Sequence, residues 1–194
     1  MTAKPLFVAG LLLVALIGTG CRQNDRPGDR SGSAATTTEK KTVRSVEPID
    51  EAGLQRLMKQ RDGRILFLNV WATWCAPCVE EFPDLVRLSR AYDETQVEVV
   101  GISADYPDEI DSRIVPFLDK QNVPFRVYVA KFDRQEDFIN AVNRSWSGAL
   151  PASGVYDPQG NQRFFLVGKG TFEQFKKEID KLKTTPQHER KIPR

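Results

Sequence analysis

Two cysteines with two residues between them, in the run Trp71-Ala72-Thr73-Trp74-Cys75-Ala76-Pro77-Cys78, are the residues of this chain best suited to chemistry. At the start of a helix that spacing lets the two sulfurs approach closely enough to bond or to release each other. Cys75 would sit beside unpaired backbone N–H groups and the positive end of the helix, which favour its thiolate. A thiolate is the species that attacks a disulfide, so Cys75 is the expected nucleophile. Cys78, one turn on, is better shielded and placed to attack the resulting mixed disulfide and release the product. Pro77 stiffens the first helical turn, where its missing donor does little harm.

Other uses of the pair fit less well. Tetrahedral zinc needs two further ligands, and the rest of the chain offers only His188 and Cys21. No metal and no cofactor is therefore expected. A purely structural disulfide across so short a loop would add little stability. A peroxide-reducing cysteine would need a Thr or Ser three residues before it and a supporting arginine, whereas Thr73 lies two residues before Cys75.

The pair needs elements to hold it, and the flanking pattern supplies them. Arg64–Trp71 is a continuous apolar run of the kind found in strands covered on both faces. Helical periodicity follows from Cys75 to about Tyr92, with Phe82, Leu85, Val86 and Leu88 inward. Before this unit, Asp50 can cap a helix to about Arg61 that ends at Gly63. After it come a strand at Val97–Ile102, a helix within Asp108–Gln121 that Pro116 must start, kink or divide, a strand at Phe125–Val129 and a helix at Phe132–Val142. Strands at Ala152–Tyr156 and Arg163–Val167 are joined by the turn Asp157-Pro158-Gln159-Gly160, and Thr171 can cap a last helix to about Leu182. This alternation predicts an α/β fold with a central mixed sheet and helices on both faces. The cysteines fall at a strand-to-helix junction, where such sheets place their sites.

The chain has 194 residues, 40% hydrophobic and 28% charged, enough apolar material for one ordinary domain with a leader and tails. Its net charge of +2 is unevenly spread. Residues 1–47 carry seven Lys/Arg against four Asp/Glu, and residues 184–194 carry three against one, which leaves 18 against 21 for residues 48–183. A mildly acidic body lacks the basic face that a phosphate backbone demands, so no nucleic-acid partner is expected.

Leu6–Ile17 is an apolar run of signal-peptide length, short of the about 20 residues of a spanning helix. Gly18, Thr19 and Gly20 precede Cys21, so residues 1–20 resemble a bacterial lipoprotein signal in which Cys21 becomes the lipidated first residue. Gly18 stands where such signals usually carry Leu, with Ile17 one step earlier. Residues 21–47 are nearly free of large apolar side chains and read as a flexible tether, with a root-mean-square reach of about 28 Å. Residues 184–194 read as a disordered tail. The expected location is extracytoplasmic, in the periplasm or on the outer face of the membrane, with a lipid anchor at the N-terminus.

Residues 48–183 resemble the thioredoxin superfamily, and within it the membrane-tethered TlpA/ResA-like branch. The marks are Trp74-Cys75-Ala76-Pro77-Cys78, the later Gly148-Ala149-Leu150-Pro151 and the Asp157–Gly160 turn. The resemblance implies a cis bond at Pro151, which would face the cysteine pair, shape docking and block misuse of the site. It implies that the backbone just before it, at Leu150, pairs with an extended substrate segment, with Trp74 as a wall of the site. Asn69 stands where plain thioredoxin has a buried aspartate, and Glu81 matches a glutamate that tunes the cysteines in ResA-like proteins. As a residue three after Cys78 on the same side of the helix, Glu81 could accept the Cys78 proton if desolvated, or could be an ordinary solvated glutamate. Residues 125–142 look like the extra strand–helix unit of this branch, placed before the cis-proline.

The implied function is reduction of protein or cytochrome disulfides, with electrons from a membrane thiol carrier and a part in cytochrome c maturation. The same residues would serve a thiol oxidase or isomerase, because redox poise depends on local thiolate stabilisation. A tethered binding or scaffold module with an inert disulfide is the alternative from another class.

Overall fold

The computed structural model describes residues 45–184. The leader at 1–20, Cys21, the tether up to residue 44 and the tail with His188 lie outside the described residues.

Among the described residues six strands and five α-helices follow one another, beginning with β1 (Glu47–Ile49), α1 (Glu51–Lys59), β2 (Ile65–Trp71) and α2 (Ala76–Arg90). Next come β3 (Val97–Ser103), α3 (Val115–Lys120), β4 (Arg126–Ala130) and α4 (Gln135–Val142), then β5 (Ala152–Tyr156), β6 (Gln162–Val167) and α5 (Phe172–Thr184). The strands form one sheet in the order β1-β4-β3-β2-β5-β6. β1, β4, β3 and β2 run parallel, while β5 is antiparallel to β2 and β6 to β5.

Local signals account for most of these boundaries. Asp50 caps α1 by accepting from Gly53 N–H at 2.7 Å, and Gly63 beyond that helix takes a positive φ of 84°. Pro116 divides the helical stretch it interrupts. A 3₁₀ turn at Pro107–Glu109 and a π turn at Ile110–Ile114 precede α3, which places Pro116 in its first turn. Thr171 Oγ1 accepts from Gln174 N–H at the start of α5. β1 is the element that periodicity did not show, since three residues carry too little pattern; its first residue, Glu47, and the buried Val46 join the folded body from within the segment read as tether.

β2 is the spine of the molecule, with neighbours on both sides and every residue buried. Its side chains alternate between two cores. Phe67 and Trp71 face α2, α3 and α5, where Phe67 meets Phe175 at 4.8 Å and Trp71 meets Phe82 at 4.5 Å. Leu66, Leu68 and Val70 face α1 and α4, among Leu54, Met58, Phe138 and Trp146. Burial of each such side chain contributes about 1.5–3 kcal/mol. Asn69 shares the parity of Phe67 and Trp71, so a polar amide is turned into the core beneath α2. The β4–α4 unit lies between α3 and Pro151 along the chain and between β1 and β3 in the sheet. This is the extra strand–helix unit expected at residues 125–142.

Candidate functional site

β2 ends at Trp71, and a short turn carries the chain into α2. Cys75 N–H donates to Ala72 C=O at 3.2 Å, and Cys75 itself caps the helix with extended backbone angles. Cys78 N–H donates to Cys75 Sγ at 3.3 Å. Cys75 and Cys78 form a disulfide with an S–S distance of 2.02 Å and Cα atoms 5.2 Å apart. Pro77 occupies the first turn, where no intrahelical partner awaits its missing N–H. Cys75 is 6% exposed and Cys78 1%, so the sulfur at the cap is the more accessible one. Trp74, 63% exposed, stands beside it.

Pro151 arrives from the other side of β2. The Leu150–Pro151 bond is cis. β2 and β5 pair as far as Val70 and Ala152, which puts Pro151 one residue further along, at the end of β2 that leads to Cys75. Pro151 C=O accepts from Gly168 N–H at 2.8 Å. The preceding loop is held by Trp146, whose indole N–H donates to Ala149 C=O at 2.9 Å and whose ring is buried against Phe138 and Phe165. Leu150 is half-buried and packs against both cores.

Glu81 lies on α2 one turn after Cys78 and is fully buried. Gly170 N–H donates to its Oε1 at 2.9 Å, and Asn69 Nδ2 reaches Oε2 at 3.4 Å. Burial pushes its pKa up to about 7, although the bonds from Gly170 and Asn69 and the charge of Lys169 pull the other way. A solvated helix glutamate would not behave so. Asn69 Nδ2 also donates to Ser153 Oγ at 3.0 Å, its register partner on β5, while Asn69 Oδ1 is buried without a partner. Rotation of that amide would present Oδ1 to a protonated Glu81, so the group can be satisfied in either charge state. Gly170 makes the approach possible, because a Cβ there would meet Phe175 at 2.2 Å.

Asp105 is the functional-end residue that sequence reasoning missed. It is buried just beyond β3, whose last residue, Ser103, pairs with Trp71. Its carboxylate accepts from Thr73 N–H at 2.9 Å, from Thr73 Oγ1 at 2.6 Å and from Ser103 Oγ at 2.5 Å. Ala104 N–H donates to Trp71 C=O at 2.8 Å, which seals the same junction. The turn between Trp71 and Cys75 is thereby fastened to the neighbouring strand. An Asp two residues after a Ser at a strand end is the only trace this leaves in the sequence, and it reads equally well as a loop residue. Thr73 Oγ1 is engaged by Asp105, away from the role a peroxide-reducing site would need.

Residues 38–164 match the AhpC/TSA family. The thiol-disulfide oxidoreductase ResA of Bacillus thuringiensis is 30% identical over 133 residues, covering 69% of this chain and 72% of that one. The thiol:disulfide interchange protein HelX of Rhodobacter capsulatus is 30% identical over 189 residues, covering 93% and 96%. Among solved structures, a DsbF homologue from Corynebacterium diphtheriae superposes with a TM-score of 0.53 at 25% identity, covering 63% of this chain and 74% of that one. With the helix-capping disulfide and the neighbouring cis-proline already in place, the chain belongs to the AhpC/TSA family, has a thioredoxin-like fold and is a thiol–disulfide oxidoreductase.

Proposed function

We propose that this oxidoreductase works outside the cytoplasm as a reductase of protein or cytochrome disulfides. The observation that carries the reading is the pairing of a cysteine at a helix N-terminus with a buried glutamate whose pKa lies near 7, one turn behind the second cysteine. In the reduced enzyme the Cys75 thiolate attacks a substrate disulfide, forming a mixed disulfide and releasing one substrate thiolate. Cys78 passes its proton to Glu81 and attacks Cys75 Sγ. The Cys75–Cys78 bond forms, the second substrate thiolate leaves, and two electrons have passed to the substrate. Glu81, with a pKa near neutrality, is matched to taking and returning that proton. Trp74 and Pro151 shape the opening, and the Leu150 backbone pairs with the extended substrate. A membrane thiol carrier returns the electron pair, and cytochrome c maturation is the setting that the likeness to ResA and HelX favours.

The apolar leader and Cys21 support export and lipid anchoring, with the tether shortened to residues 21–44 and the working domain widened to 45–184, because Glu47 pairs in β1 and Thr184 closes α5. Membranes from cells expressing Cys21→Ala should release the protein, and retention there would sink the lipid anchor. For the chemistry, Cys78→Ser should accumulate a mixed disulfide through Cys75, while Cys75→Ser should lose all reduction of a model disulfide. Trapping through Cys78 would reverse the assignment. A reduction potential in the oxidising range, with thiol labelling in cells, would instead favour a thiol oxidase.

A further inference from the structure

Among the described residues three large hydrophobic side chains are exposed: Trp74, Tyr106 at 74% and Val167 at 44%. They are not scattered. Trp74 precedes Cys75, Val167 pairs with Ala152 immediately after Pro151, and Tyr106 follows Asp105. The Asp105 carboxylate holds Thr73, the neighbour of Trp74, through two hydrogen bonds. Tyr106 and Trp74 therefore stand one residue to either side of a shared clamp beside the disulfide. The Tyr106 backbone is itself fixed, since its N–H donates to Glu109 Oε2 at 3.0 Å, its C=O accepts from Glu109 N–H at 2.9 Å and Pro107 follows. A ring on a rigid backbone loses little entropy when it is covered, which suits it to contact. Single exposed aromatics are ordinary, but a group of them confined to the rim of a reactive disulfide marks a contact surface.

We infer that Tyr106 and Trp74 form a docking rim that selects extended substrate segments carrying a large apolar side chain beside the reactive cysteine and a basic residue further along. The inference rests on the reductase reading and adds the class of segment that the site prefers. The apolar part follows from the two exposed rings. The basic part follows from charge: Asp108 and Asp111, both exposed just beyond Tyr106, form no ion pair among the described residues, whereas Glu109 is paired with Arg113 at 3.2 Å. An apolar side chain laid between the rings and a cation near the two aspartates would satisfy both features at once. Tyr106 touches substrate in this arrangement, and Asp105 is a positioning residue that keeps its loop in register with Cys75.

The test is single-turnover reduction of short disulfide-bridged peptides by the pre-reduced full-length protein. The peptides differ only in Phe or Ser next to the cysteine, and in Lys or Glu several residues on. The ratio of kcat/KM between two peptides on one enzyme preparation cancels changes in folded fraction and in thiol chemistry. The wild type should prefer Phe over Ser by about threefold to tenfold, the range for a single aromatic contact. It should prefer Lys over Glu by about twofold to fivefold at low salt. Tyr106→Ser should cut the Phe/Ser ratio to what Trp74 alone supports, Tyr106→Phe should retain the wild-type ratio, and Asp108→Asn with Asp111→Asn should erase the Lys/Glu ratio. An unchanged Phe/Ser ratio in Tyr106→Ser overturns the rim while leaving the reductase reading intact. A wild-type enzyme that reduces none of the peptides overturns both.

Discussion

Two carboxylates are buried on either side of the disulfide, and they are treated differently. Glu81 sits under α2 with one good donor, Gly170 N–H, and one long one from Asn69. Asp105 sits at the end of β3 with both oxygens engaged by short bonds from Thr73 and Ser103. Where donors are few, burial leaves the charge poorly compensated and the pKa climbs, as it does for Glu81. Where donors surround a carboxylate, it becomes a tie between segments, and Asp105 ties the cysteine turn to β3. Burial alone therefore assigns neither residue its task. The donor count around each oxygen does.

The largest effect that could break this contrast comes from Asp105→Ala. The substitution strands Thr73 N–H, Thr73 Oγ1 and Ser103 Oγ in a buried site, and should cost about 4 kcal/mol in unfolding by urea. A cost below about 1 kcal/mol would mean that water replaces the carboxylate and that the tie is dispensable.

Glu81 should show its character through pH. Its folded pKa is raised to about 7 from the ordinary 4.5, so between those values the folded state holds a proton that the unfolded state has lost. Stability should then fall as pH rises through that window, by about 3 kcal/mol in all, and be flat above it. Glu81→Gln should abolish this slope, and rotation of the Asn69 amide would turn its unpartnered Oδ1 toward the new amide. In the reduced protein the same substitution should lower the apparent thiol pKa seen by iodoacetamide and slow turnover, because a nearby negative charge and a proton acceptor are both removed. Parallel stability curves and equal turnover would make Glu81 an ordinary core residue.

Gly170→Ala tests the donor rather than the acid. Its Cβ would collide with Phe175, and the loop would have to move, withdrawing the N–H from Glu81. We expect a loss of about 2 kcal/mol from overpacking. The Glu81 midpoint should move further upward, since the lost bond had lowered it. A midpoint that stays put or falls would show that Gly170 does not tune the acid.

The smallest effect belongs to Thr73→Val, which keeps the backbone bond to Asp105 but removes the one from Oγ1. It should cost about 1 kcal/mol, and Thr73→Ser almost nothing. A larger loss for Ser than for Val would indicate that the methyl packing, not the hydroxyl, matters at this position.

Local patterns carried much of this molecule. The apolar run of β2, the Cys75–Cys78 spacing at a helix start, the Asp50 and Thr171 caps and the Asp157–Gly160 turn all act over a few residues, so their physics is complete within a short stretch of chain. The branch likeness placed attention on Glu81 and Pro151. It did not say whether Glu81 would be solvated, because that depends on groups 12 and 89 residues away. Asp105 was illegible for a related reason: its partner Thr73 is 32 residues distant, and only the pairing of β2 with β3 makes them neighbours. β1 escaped because its three residues are stabilised by the strand beside them and not by any periodicity of their own.

The amino-acid sequence by itself determined an α/β chain with a closely spaced cysteine pair at a strand-to-helix junction, since capping, periodicity and cysteine spacing are short-range. Tertiary structure decided which carboxylate would titrate near neutrality, which would staple the cysteine turn, and which aromatic rings would remain in water around the disulfide. Those outcomes rest on strand register and on the donors it brings within reach. Desolvation and hydrogen bonding are set by whatever atoms fill the surrounding few ångströms, and chain order does not specify them until the sheet has formed.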